Sequence, residues 1–123
     1  IAALLNQQVT IFGDGKQVRD MLYVDDLVAG YDAFIKSDLK HTVVNIGGGP
    51  ENTLSLLEFL DFLQKEKQVK MKVAFSQWRP SDQKVYISDI TKIKDTLGWG
   101  PKIGVEEGVR KLIKWAEQNQ SLF

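Results

Sequence analysis

The sequence predicts an α/β fold, because short β-favouring runs alternate with amphipathic helical patterns along its 123 residues. Runs at 9–12, 41–46, 73–75 and 85–87 are rich in Val, Ile, Phe and Tyr, and glycine or proline clusters end several of them. Between and after them, apolar residues recur at helical spacing.

Val9-Thr10-Ile11-Phe12 is read as the first strand and the segment from Val18 to Val24 as the second, with Gly13-Asp14-Gly15 supplying a turn that can take positive φ. Asp25 or Asp26 then caps a helix whose Leu27, Tyr31, Phe34 and Ile35 share one face. His41 to Ile46 reads as a strand ended by Gly47-Gly48-Gly49-Pro50. Ser55-Leu56-Leu57-Glu58 has the spacing of a capping box. The helix it opens is polar only at Ser55, Glu58, Asp61 and Gln64, and so requires cover on two sides. Val73-Ala74-Phe75 and Val85-Tyr86-Ile87 are brief strands around the loop carrying Trp78 and Arg79. Asp89 is placed as the cap of a short helix with Ile90, Ile93 and Leu97 inward, stopped by Gly98 and Pro101. A last helix runs from about Val105 to Asn119, burying Val109, Leu112, Ile113 and Ala116. Trp78, Trp99 and Trp115 suit core anchoring, and Trp78 beside Arg79 could also line a pocket.

The whole, residues 1–123, is one region long enough for a hydrophobic core. Lys plus Arg (16) equals Asp plus Glu (16), so no net field points to nucleic acid or a membrane surface. The absence of cysteine excludes disulfides and thiolate metal sites and suits a reducing cytoplasm. No run approaches the ~18 apolar residues of a spanning helix. The opening Ile1-Ala2-Ala3-Leu4-Leu5 reads as the last turns of an uncapped helix, the expected cut edge of a larger protein.

Two segments speak of a ligand. In Gly13-Asp14-Gly15-Lys16-Gln17-Val18-Arg19-Asp20 a glycine turn delivers one arginine, and in Arg79-Pro80-Ser81-Asp82 a proline-stiffened loop delivers a second with a carboxylate behind it. Two loop-held guanidinium groups suit a diphosphate, because planar forks pair with phosphate oxygens. Asp82 would repel phosphate and instead suits ribose hydroxyls. The plainer arrangement is surface ion pairing, Arg19 with Asp20 or Asp25 and Arg79 with Asp82, and composition alone slightly favours it. Gly47-Gly48-Gly49 fails the dinucleotide spacing because Asn52 holds the last position. His41, the only histidine, reads as a solvated loop residue. None of Tyr23, Tyr31 and Tyr86 has a lysine four residues later, and no acid, base and nucleophile trio stands out. The residues read as a binder whose chemistry is supplied elsewhere.

These motifs, in order with Tyr23-Val24-Asp25-Asp26-Leu27, Asn45-Ile46-Gly47, Ser88-Asp89-Ile90-Thr91-Lys92 and Leu97-Gly98-Trp99-Gly100-Pro101, resemble the C-terminal part of the extended short-chain dehydrogenase/reductase family of nucleotide-sugar epimerases and dehydratases. The segments 47–56 and 78–83 are most similar to the 2-epimerase branch acting on CDP-linked paratose and tyvelose. The resemblance implies the substrate-binding part of an NAD(P)-binding Rossmann-type protein without its catalytic N-terminal lobe. It implies that Arg19 and Arg79 hold the diphosphate of a nucleotide sugar, Asp82 the ribose, Thr10 to Phe12 the base with Phe12 on its face, and Tyr86 the sugar end. It assigns the catalytic residues and NAD to the missing lobe, none of either to this chain, and a homodimer to the full-length protein. The alternatives are a fragment of a 4-epimerase, 4,6-dehydratase or decarboxylase, and a stand-alone binding or scaffolding module.

Overall fold

The computed structural model describes all 123 residues and bears out the α/β class. The elements are β1 (Val9–Phe12), β2 (Val18–Asp20), α1 (Val24–Ile35), β3 (Thr53–Ser55), α2 (Leu56–Lys67), β4 (Val73–Ser76), β5 (Val85–Tyr86), α3 (Thr91–Leu97) and α4 (Val105–Gln118). β1 and β4 pair in parallel, Val9 opposite Val73 through Phe12 opposite Ser76, and a second sheet has the order β3-β2-β5. The chain forms two compact units.

The first unit comprises Ile1–Arg19, Leu54–Val85 and Arg110–Phe123. Its interior holds Ile11, Leu60 and Ala116. α2 begins as its sequence dictates: the Ser55 hydroxyl accepts from the Glu58 amide at 3.2 Å, and the Glu58 carboxylate accepts from the Ser55 amide at 2.7 Å. The Ser55 amide and the Ser55 hydroxyl, both donating to it, hold the Glu58 carboxyl below the ordinary carboxylate value. The helix ends on Gln68 in the left-handed conformation. Lys67–Glu117 and Arg110–Glu66 ion pairs join α2 to the 110–118 stretch of α4, with the Arg110 guanidinium 5.2 Å from the Phe62 ring centre. Leu112, expected on the buried stripe, is exposed: along α4 it lies on the side turned away from Arg110 and Glu117, which face α2. Trp115 is also half-exposed and meets Phe123 edge-on at 6.0 Å.

The second unit comprises Asp20–Thr53 and Tyr86–Val109 and buries Ile93, Trp99 and Val109. Trp99 donates its indole N–H to the Asp26 carbonyl at 2.9 Å, and the buried Asp26 carboxylate accepts from the Ile103 amide at 2.9 Å. Asp26 therefore staples the 99–103 segment, and it does not cap α1. The cap position is Tyr23, with Asp25 and Asp26 already in the first turn, where carboxylates favour the helix dipole. This early start shortens the expected strand over 18–24 to β2, because Val24 is already helical. Tyr31 and Ile35, expected on the buried face, are exposed in this unit. Asp89 lies one residue before the cap of α3, and hydrogen bonds from the Thr91 hydroxyl and from the Thr91 amide, the latter at 2.9 Å, lower its pKa.

Residues 41–46 form no strand, contrary to their β-favouring composition. A ladder needs a neighbour, and no strand of this chain pairs with them. The Val43 carbonyl accepts from Lys92 Nζ at 2.7 Å instead, and Val43 is 84% exposed.

Candidate functional site

Because β1 and β4 are parallel and in register, their carboxyl ends lie side by side. The two loops that leave those ends carry the two arginine motifs, and the C-terminal edge of parallel strands is where α/β sheets take ligands. The loop after β1 is built on Gly13 (φ +94°) and Gly15 (φ +77°), with the Asp14 carboxylate accepting from the Lys16 amide at 3.0 Å. Gln17, buried, donates through Nε2 to the Phe12 carbonyl at 2.8 Å and so closes the turn from inside. The Leu57 amide donates to the Gly15 carbonyl and the Leu56 amide to that of Gln17. Arg19 is thus presented from a fixed backbone.

The loop after β4 folds back on the end of β1. Gly13 N–H donates to the Ser76 carbonyl at 2.9 Å. Trp78 then lies on Gly13, so closely that a Cβ there would stand 2.6 Å from the indole. Arg79 lies on Phe12, its guanidinium carbon 3.9 Å from the ring centre. Next, Arg79-Pro80-Ser81-Asp82 makes a turn closed by the Asp82 amide donating to the Arg79 carbonyl at 3.2 Å. Proline at the second position and Ser81 at φ +63° at the third are the pattern of a type II turn. The turn swings Asp82 toward Arg19, whose Nη2 donates to Asp82 Oδ1 at 2.9 Å while Nη1 donates to the Val18 carbonyl at 2.8 Å.

The structure thus joins the two motifs, but not through the surface pairs composition favoured. Arg19 pairs with Asp82 rather than Asp20 or Asp25, and Arg79 rests on an aromatic face rather than on Asp82. A guanidinium carries five donors, so two commitments leave three on Arg19 for a ligand. One Asp82 oxygen is engaged by Arg19. Thr10 is exposed on β1 beside these loops. Tyr86 belongs to the second unit, at the end of β5, with its ring half-exposed.

Trp78 is not a core anchor: it is 37% exposed and seated on a glycine. The seat of Trp78 and the role of Gln17 were hidden in the sequence, although a glycine just past the end of a β-favouring run, as Gly13 is, marks a place where something can approach the backbone closely.

The glycine run 47–49 offers no cradle for a dinucleotide. The Asp20 carboxylate accepts from the Gly49 amide at 3.0 Å and from the Ser88 amide at 3.2 Å, and a Cβ at Gly47 would strike Ser88 and Asp20 themselves. A side-chain carboxylate thus already occupies the anion position, and these residues do not fit NAD. No group of three or more His, Cys, Asp or Glu could hold a metal ion, and no helix is long and apolar enough to cross a membrane.

The chain is 37% identical over 113 residues to CDP-paratose 2-epimerase of Salmonella typhi, covering 90% of this chain and 33% of that protein. It is 36% identical over 115 residues to UDP-glucuronate 4-epimerase of Thermodesulfobacterium geofontis, covering 94% of this chain and 35% of that one. The crystal structure of UDP-glucuronic acid 4-epimerase from Bacillus cereus in complex with UDP-glucuronic acid and NAD superposes with a TM-score of 0.86 at 29% identity, over 95% of this chain and 37% of that one. The chain therefore spans about a third of the length of the curated relatives it matches. The family model described as GDP-mannose 4,6 dehydratase matches residues 1–112, and the chain belongs to that family of extended short-chain dehydrogenase/reductase epimerases and dehydratases.

Proposed function

We propose that this chain grips the diphosphate of a nucleotide sugar, and that the protein it belongs to is an NAD-dependent epimerase acting at C2 of a CDP-linked sugar such as CDP-paratose. The observation that supports the first part is the Arg19–Asp82 bond between loops that leave adjacent strand ends, with Arg79 stacked on Phe12 at the end of β1. Arg19 and Arg79 hold phosphate oxygens, each charged hydrogen bond contributing roughly 1.5–3 kcal/mol. Asp82, steadied by Arg19, takes ribose hydroxyls with its remaining acceptor capacity. Thr10 and Phe12 flank the base, Phe12 also carrying Arg79, and Tyr86 serves the sugar end. The 37% identity to the Salmonella typhi enzyme supports the cytidine and C2 assignments.

In the whole protein, NAD supplies reversible hydride acceptance, and the residues that bind it and move the protons lie outside this chain. The chain alone neither binds NAD nor turns over substrate. The full-length protein acts as a homodimer in the cytoplasm.

Calorimetric titration of this chain with CDP, UDP, dTDP and GDP tests the reading. The expected order places CDP first, with affinity about millimolar because half the pocket wall is missing. Tighter binding of another nucleotide overturns the cytidine assignment, and no binding of any overturns the diphosphate grip.

A further inference from the structure

We infer that Trp78 is the nucleobase-stacking and specificity-determining side chain of this site, an inference that rests on the diphosphate reading above. Phe12 has one face committed to the Arg79 guanidinium at 3.9 Å, so stacking a base on that face would displace the cation meant for phosphate. Trp78 has no such commitment. One face of its indole lies on Gly13, and the residue keeps 37% of its surface exposed. Its seat is rigid: Gly13 at φ +94° admits no side chain, and the bond from Gly13 N–H to Ser76 fixes the backbone beneath the ring.

The fold-back of the loop also puts the two ligand functions in neighbouring places. Trp78 lies on Gly13 and Arg79 on Phe12, so a stacking plane stands next to a cation along the end of one strand. A nucleoside diphosphate has that arrangement of parts, an aromatic base joined through a sugar to an anion. Trp78 provides the largest aromatic face available for the first, and stacking of a base on an aromatic side chain discriminates nucleotides from bare phosphates.

The test is calorimetric titration of the chain, as wild type, W78A and W78F, with CDP and with inorganic pyrophosphate, alongside thermal unfolding to show that the exposed position leaves the fold intact. W78A is expected to bind CDP about tenfold more weakly while binding pyrophosphate as the wild type does. W78F, which still presents a ring, is expected to hold CDP within about threefold of the wild type. Equal weakening of both ligands, no weakening of either, or a W78F as poor as W78A overturns the inference while leaving the diphosphate grip in place. A wild type that binds neither ligand overturns the grip itself, and the stacking role with it.

Discussion

Arg19 Nη2 donates to Asp82 Oδ1 at 2.9 Å across 63 residues of sequence, and this bond ties the loop after β1 to the loop after β4. Both side chains keep about a quarter to a third of their surface, 32% for Arg19 and 24% for Asp82. At such exposure the pair contributes little to folding, roughly 0–1 kcal/mol. What it does is hold each group in one pose, Arg19 between Asp82 and the Val18 carbonyl and Asp82 on the far side of its turn. Arg19→Ala should therefore leave the unfolding midpoint within a few degrees of the wild type. It should weaken CDP binding about tenfold or more, read by calorimetry. An Arg19→Ala variant that unfolds while retaining CDP affinity would show the arginine to be structural.

Arg79 differs in its support, since its plane is held by the Phe12 ring rather than by a carboxylate. Arginine stacks on aromatic faces and forks to phosphate, whereas lysine is a hydrated point charge. Arg79→Lys should accordingly weaken CDP binding nearly as much as Arg79→Ala, about tenfold, although it conserves charge. Phe12→Leu should weaken it by a smaller factor, about threefold, by loosening the guanidinium. If Arg79→Lys binds as the wild type does, charge alone is at work and the stack is incidental.

The contrast between these residues shows which parts of the molecule a sequence can disclose. The Ser55–Glu58 capping box, the Gly98 stop and the β-favouring runs that became β1 and β4 are local, set by residues a few positions apart, and they appear where the pattern puts them. That Arg19 and Asp82 belong to related motifs was legible, but not that they bond, because pairing over 63 residues depends on β1 and β4 lying parallel. The failure over 41–46 has the same origin: composition favours an extended chain, but a strand exists only with a partner. Asp26 looked like a cap because carboxylates near a helix start usually are; its actual partner is the Ile103 amide, 77 residues away. The seat of Trp78 on Gly13 is likewise a tertiary contact with no sequence periodicity to announce it.

Gly13 is the position where backbone and site depend on one another most directly. Its φ of +94° is costly for any L side chain, and a Cβ would stand 2.6–2.8 Å from three carbons of the Trp78 ring. Gly13→Ala should destabilise the chain by roughly 1–3 kcal/mol, lowering the unfolding midpoint on thermal denaturation. It should also weaken CDP binding, since the indole must move off the turn. The double variant with Trp78→Ala should recover part of the stability, because the steric component disappears while the backbone strain remains. Additive losses in the double variant would mean that the indole and the glycine do not touch in solution.

Asp20 links the glycine loop of the second unit to pH. Burial raises the pKa of its carboxyl, but hydrogen bonds from the Gly49 amide and from the Ser88 hydroxyl and amide outweigh that, and the net value lies below the ordinary carboxylate range. A carboxyl whose folded value is depressed binds its proton more weakly than the unfolded chain does. The stability it contributes is therefore fully present above the unfolded value of about 3.9 and is lost as the pH falls through the folded value. Asp20→Asn should lower the unfolding midpoint at pH 7 by a few degrees, because a neutral amide is a poorer acceptor for the Gly49 and Ser88 donors. The difference between wild type and variant should shrink as the pH is taken from 5 towards 2, where the wild-type carboxyl takes up its proton. Thermal denaturation across that range provides the check, and a gap that stays constant down to pH 2 would show that the charge of Asp20 plays no part in holding the glycine loop.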